Sequence, residues 1–223
     1  MASTPETPPP ELPAEDRAAA LLARLKANRQ LLIGVLVATA LVVLIAWFMV
    51  ESGRRKEAAA MQLLESGWSL QDQGNLPQAS TEYQRVVDTY RGTDAAMQAT
   101  LALNQVRMES EQAQLAVDGL REFLASSPPA PYAAAANRLL GLALEDAGEP
   151  AEAAAAFQNS ADLADQDFLK AEALLAAGRA WRAAGNTEAA ITALRRIVAE
   201  FAEAGVAAEA TVRLAELTKG AME

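Results

Sequence analysis

Cysteine and histidine are both missing from this 223-residue chain. Their absence removes disulfides, thiol nucleophiles, imidazole bases and the commonest zinc ligands together. Carboxylates are plentiful, but no calcium-loop spacing occurs among them, and no metal or cofactor site is expected. A cysteine-free chain is compatible with an oxidising compartment without requiring one. Aromatic residues are scarce at 5%, and β-branched residues gather in a single apolar stretch, which argues against an all-β core. Positive charge is thin as well. Residues 57–223 carry 12 Lys/Arg against 24 Asp/Glu, a net charge of −12. Such a surface repels phosphate backbones, so nucleic-acid binding is excluded.

What the chain does have is alanine, spread throughout, and one long hydrophobic run. Residues 31–50 read LLIGVLVATALVVLIAWFMV, without a charge. At a rise of about 1.5 Å per residue they span roughly 30 Å, the thickness of a bilayer's hydrocarbon core. A buried soluble helix would need more of a polar face than Gly34 and Thr39 provide. A cleaved signal peptide fits less well than a signal anchor, because about 30 residues precede the run and no clean small-x-small site follows it. Trp47 and Phe48 stand near the far end, where aromatic rings favour the interface. Basic residues flank both sides: Arg17, Arg24, Lys26 and Arg29 before, Arg54, Arg55 and Lys56 after. The charges therefore barely favour an inside N-terminus, and the three after the span suit a headgroup layer. Ahead of the anchor, MASTPETPPPELPAED holds five prolines and is expected to be a disordered tail. The expected organisation is a tail over 1–16, an anchor with basic flanks over 17–56, and a helical domain over 57–223. The anchor helix is expected to begin near Arg17, and only Gly53 interrupts its path into the domain.

A repeat of 37 residues organises the remainder. Gly67 and Gly74, Gly141 and Gly148, and Gly178 and Gly185 share one spacing, followed by Ala79, Ala153 and Ala190. Tyr83, Phe157 and Leu194 then occupy the same register one turn on. The gap between the first and second glycine pairs predicts a further copy, which is found as Asn104, Glu111, Ala116 and Leu120. One more period reaches Ala215, a closing helix without a partner. Gly74, Gly148 and Gly185 suit helix C-caps with positive φ. Gly67, Gly141 and Gly178 fall mid-helix, where glycine costs about 1 kcal/mol unless a neighbouring helix comes close. Pro77 and Pro150 sit at helix starts, where the missing N–H is harmless. The copy with Asn104 and Glu111 lacks both glycines, which leaves its turn geometry open.

These segments, LLESGWSLQDQGNLPQASTEYQRVV, RLLGLALEDAGEPAEAAAAFQNS and LLAAGRAWRAAGNTEAAITALRRIV, resemble the tetratricopeptide repeat, whose usual period is 34. The expected fold is all-α: one N-terminal transmembrane helix, then a tetratricopeptide-like solenoid of about four helical hairpins and a terminal helix. With the stretch KANRQLLIGVLVATALVVLIAWFMV and the basic residues after it, the architecture is similar to the bacterial YfgM-like family of ancillary translocon subunits. That resemblance implies a single-pass inner-membrane protein with a cytoplasmic N-terminus and a periplasmic repeat domain. It implies association with the SecYEG channel and with a membrane-anchored chaperone of the prolyl-isomerase class, in handling newly exported proteins. The family offers no catalytic residues to carry over.

First helices of stacked hairpins are expected to line the concave face. The repeat register places Met61, Leu64, Trp68, Leu101, Met108, Leu142, Leu175, Arg179 and Arg182 there. Trp68 is the foremost candidate for a partner contact, since large aromatics dominate interface hot spots. Met61 and Met108 suit an adaptable apolar surface. Arg179 and Arg182, at i and i+3, could hold a partner's carboxylate. Each of these residues has packing or solvation as its alternative role. An enzyme is not expected, because a hydrolase lacks its activated nucleophile and the acids read as solvated surface. No small-molecule substrate is implied. The alternative to an export-linked module is a scaffold or assembly subunit of a different inner-membrane complex.

Overall fold

The computed structural model describes Ala19 and residues 29–218. The expected tail over 1–16 and the helix start near Arg17 lie outside the described residues. Nine helices follow from Arg29 onward: α1 Arg29–Asp72, α2 Leu76–Thr89, α3 Asp94–Glu109, α4 Ala113–Ala125, α5 Ala130–Asp146, α6 Pro150–Leu163, α7 Asp167–Ala183, α8 Thr187–Glu200 and α9 Ala207–Thr218. This is an all-α helical-repeat solenoid with one apolar helix at its N-terminal side. The chain divides into two compact units between Arg54 and Arg55.

In the first unit, α1 is the one helix among the described residues long and apolar enough to cross a membrane. Its most apolar window has a mean hydropathy of 2.8 and none of it is buried. The Thr39 hydroxyl donates to the Val35 carbonyl at 2.8 Å, so the one hydroxyl within residues 31–50 is satisfied inside the helix. Gly53 does not break α1, which keeps its helical geometry through to Asp72.

The second unit is built from hairpins. The end of α1 pairs with α2, then α3 with α4, α5 with α6, and α7 with α8, with α9 closing the series. Four turns repeat one hydrogen-bond pattern. The amides of Gly74, Glu111, Gly148 and Gly185 donate to the carbonyls of Gln71, Met108, Glu145 and Arg182 at 2.8–3.0 Å. The next amides, Asn75, Gln112, Glu149 and Asn186, reach back to Leu70, Arg107, Leu144 and Trp181 at 2.8–2.9 Å. This pair of bonds is the Schellman motif, which ends a helix through one left-handed residue. The open question of the second copy is thereby answered: Glu111 takes φ 60°, beside 74–78° at the three glycines. A side chain in that region costs about 1–2 kcal/mol, partly offset because glycine loses more freedom on folding. Glu111→Gly is therefore expected to stabilise the domain by about 0.5–1 kcal/mol. A thermal melt of the full chain in detergent reads this, and a lower melting temperature would contradict it.

Between the helices of each hairpin sits one large residue. Tyr83, Leu120, Phe157 and Leu194 are all essentially inaccessible. The glycines opposite exist for them. A Cβ on Gly67 would collide with the Tyr83 ring, and one on Gly141 would stand 2.5–2.7 Å from three carbons of Phe157. The second hairpin solves the same problem from the other side. Asn104 is buried there, and Gly119 on α4 makes the room: a Cβ on Gly119 would meet the Asn104 Oδ1 at 2.5 Å. Asn104 Nδ2 donates to the Thr100 carbonyl at 2.8 Å, and Arg107 Nη1 donates to Asn104 Oδ1 at 2.9 Å. Both polar ends of a buried amide are thus engaged. Burial pulls the Arg107 guanidinium down from its ordinary value, and Glu122 opposes that shift.

Tyr83 also carries a pH signature. Its hydroxyl donates to Gln71 Oε1 at 2.8 Å, and its pKa is pushed up to about 12 by burial, with Asp72 and Glu109 adding to it. Because the folded value exceeds the unfolded one near 10, its stabilisation is complete below pH 10. It is lost as pH climbs towards 12. The loss over that window is on the order of 2–3 kcal/mol. Tyr83→Phe should flatten the alkaline arm of the stability profile, and an unchanged arm would assign the loss elsewhere.

Candidate functional site

The first helices of the third and fourth hairpins, α5 and α7, flank a groove of about 280 Å³. Its apolar floor includes Leu142, Leu175 and the edge of Phe157, and its polar rim is formed by Arg138, Glu172 and Arg179. The spacing of these residues explains the arrangement. Arg138 and Leu142 lie one turn apart on α5, and Glu172, Leu175 and Arg179 recur at three and four residues on α7, so each helix turns one stripe to the groove. A second hollow of about 300 Å³ continues from Arg138 towards Pro131 on α5 and Leu169 on α7.

The groove's charges are uncommitted. Among the described residues, no ion pair or hydrogen bond engages the Arg138 or Arg179 side chain. Arg179 does act on Glu145 through space. Burial pushes the Glu145 carboxyl up, Arg179 opposes this, and Asp146 reinforces it. Two arginines of the second helices, Arg121 and Arg196, behave differently. Arg121 Nη2 pairs with Glu152 at 2.5 Å, and Arg196 holds Asp162 at 2.8 Å and Glu200 at 3.1 Å. The hydrogen bonds that Arg196 donates to Asp162 and Glu200 raise its pKa. Arg121 and Arg196 are thus held by neighbouring carboxylates, whereas Arg138 and Arg179 at the groove make no such pair among the described residues.

Of the residues singled out from the sequence, the structure gathers Leu142, Leu175 and Arg179 at this groove. Arg182 is exposed at the end of the same helix α7. Leu64 is fully buried in the core around Tyr83, so it is closed to a partner. Met61 packs partly against that core, and Leu101 and Met108 pack against the core around Phe157. Trp68 remains 39% exposed on α1, away from the groove. Leu175 is mostly buried and contributes floor. Arg138 and Glu172 were not singled out, although the period points to both. Arg138 lies 37 residues after Leu101 and 37 before Leu175, and Glu172 shares the register of Met61.

Groups of three or more acidic residues placed to hold a metal ion are absent among the described residues. The arrangement is a helical scaffold presenting a surface.

A family profile described as tetratricopeptide repeat matches residues 172–204, which span most of α7 and all of α8. Among solved structures, the chain is similar to nearly identical TPR-like repeats from a Podosopora anserina kinesin light chain. That likeness has a TM-score of 0.59 at 18% identity over 74% of this chain and 87% of that one. It is similar also to a tetratricopeptide repeat protein of Parabacteroides merdae ATCC 43184, with TM-score 0.58 at 14% identity over 73% of this chain and 61% of that one. MamA gives a TM-score of 0.54 at 21% identity over 72% of this chain and 87% of that one. At these identities the likeness concerns the fold. No curated protein sequence matches.

Proposed function

We propose that this chain is a membrane-anchored interaction module that holds a protein partner against the α5–α7 groove. The observation that carries this reading is the groove itself: an apolar floor rimmed by two arginines without ion-pair partners, on a domain whose net charge is −12. An unpaired guanidinium beside a hydrophobic floor suits a segment that places a carboxylate next to an apolar side chain. Residues 31–50 act as the membrane span, and residues 57–223 form the interaction domain.

The finer reading follows the resemblance of the anchor and acidic repeats to the YfgM-like family. The protein then sits in a bacterial inner membrane with its N-terminus cytoplasmic and its repeat domain periplasmic. Its partners are the SecYEG channel and a membrane-anchored prolyl-isomerase-class chaperone, and its role is in export or envelope quality control. Purification of the full chain in mild detergent with partner identification tests this. Recovery of the channel supports it, and recovery of a different defined complex without the channel overturns it in favour of a scaffold subunit. A reporter fused after Glu223 should signal outside the cytoplasm, and a cytoplasmic signal would sink the periplasmic assignment.

A further inference from the structure

We infer that the turn between α2 and α3, through Arg91, joins Lys56 in contacting anionic phospholipid headgroups, so that the repeat domain meets the membrane at a defined corner. This rests on the reading of residues 31–50 as a membrane span. Lys56 follows position 50 by six residues, which holds it within about 20 Å of the span's end whatever path the chain takes. Lys56 Nζ donates to the Arg91 carbonyl at 2.8 Å, fixing residues 90–93 beside the first residues of the domain. Glu57 secures the same turn. Its two carboxylate oxygens accept from the Asp94 and Ala95 amides at 2.9 and 2.8 Å, capping α3 from another helix.

The charges at this corner are sorted by these contacts. Glu57 is occupied by backbone amides, and Asp94 lies near the Tyr132 hydroxyl, whose pKa is raised by burial first and by Asp94 as well. The Arg91 side chain is 80% exposed, with only a loose 3.7 Å approach to Asp88. The Lys56 ammonium has three donors and uses one on the Arg91 carbonyl, leaving donors for phosphate oxygens. A surface of anionic lipid repels most of a domain with net charge −12 and attracts this corner, within a screening length of about 8–10 Å.

The cysteine-free sequence allows a single spin label at a chosen site. The full chain carrying Thr89→Cys, at the exposed end of α2, is reconstituted in phosphatidylcholine vesicles with and without 30% phosphatidylglycerol. Gln112→Cys, exposed in the turn between α3 and α4, serves as the reference. Relaxation of the label by nickel chelated to lipid headgroups should be at least threefold stronger at Thr89→Cys than at Gln112→Cys in the anionic vesicles. Arg91→Glu should bring it down to the reference level, with the thermal melt unchanged. Equal relaxation at the two sites, equal relaxation in both lipid compositions, or indifference to Arg91→Glu would each overturn the inference. Release of the chain by alkaline carbonate would overturn the membrane span and this inference with it. Retention of the chain without headgroup contact at Thr89→Cys would overturn this inference alone.

Discussion

Phe157→Ala is expected to lower the stability of the repeat domain by about 3–5 kcal/mol, the range for emptying a fully buried aromatic site. The ring is 1% exposed and lies against α5 at Gly141, flanked by Leu144, Ala153 and Ala177 in one core cluster. Gly141→Ala probes the same contact by overfilling it. Alanine improves helix propensity by about 1 kcal/mol, but its methyl would stand 2.5 Å from the nearest ring carbon. The net cost is expected to be about 1–3 kcal/mol. Gly178→Ala should behave differently, because its Cβ would meet Leu194 at 3.2 Å, a gap that a small side-chain shift can open. That variant is expected within about 0.5 kcal/mol of the parent. The double variant Gly141→Ala with Phe157→Leu sets in the third hairpin the alanine–leucine pairing that Gly178→Ala would set in the fourth. Its loss should fall short of the summed single losses by about 1–2 kcal/mol. Melts of the full chain and its variants in detergent decide this, and strict additivity would mean the glycine is not there for the ring.

Much of this architecture is legible in the sequence because the 37-residue period fixes several positions at once. Gly74, Gly148 and Gly185 announce three left-handed caps, and Pro77 and Pro150 mark the helix starts that follow. Glu111 could not be read the same way, since a glutamate gives no local sign that it will be held at positive φ. The turn forms because helices on both sides of it are already committed by packing. Gly119 carries no such signal, because it stands one position before Leu120, outside the aligned glycines, and acquires meaning only through Asn104 filling the space opposite. The site was less legible than the fold. Register alone placed Leu64 and Leu142 on one face, yet Leu64 is sealed beneath Tyr83 and Leu142 opens to a groove. Which first-helix residues reach solvent depends on the bulk of the neighbouring hairpin, which a period does not encode.

Charge reversal in the groove is the second change with a large expected effect. Arg138→Glu combined with Arg179→Glu should weaken partner capture by tenfold or more. Each substitution replaces an attraction by a repulsion where a partner's carboxylate would sit. The fold loss should be small, about 1 kcal/mol or less, because neither side chain makes an ion pair or hydrogen bond among the described residues and only the through-space attraction of Arg179 for Glu145 is reversed. Reversing Arg121 should leave capture unchanged, since that arginine is committed to Glu152 on the second-helix face.

The central claim is that the first-helix groove, and not the opposite face, holds the partner. A photo-crosslinking amino acid placed at Arg179, and separately at exposed Arg195 on α8, tests it in the intact membrane. Crosslinking of one defined protein at Arg179, with little at Arg195, is the predicted result. Equal crosslinking at both positions, or crosslinking at Arg195 alone, would contradict it.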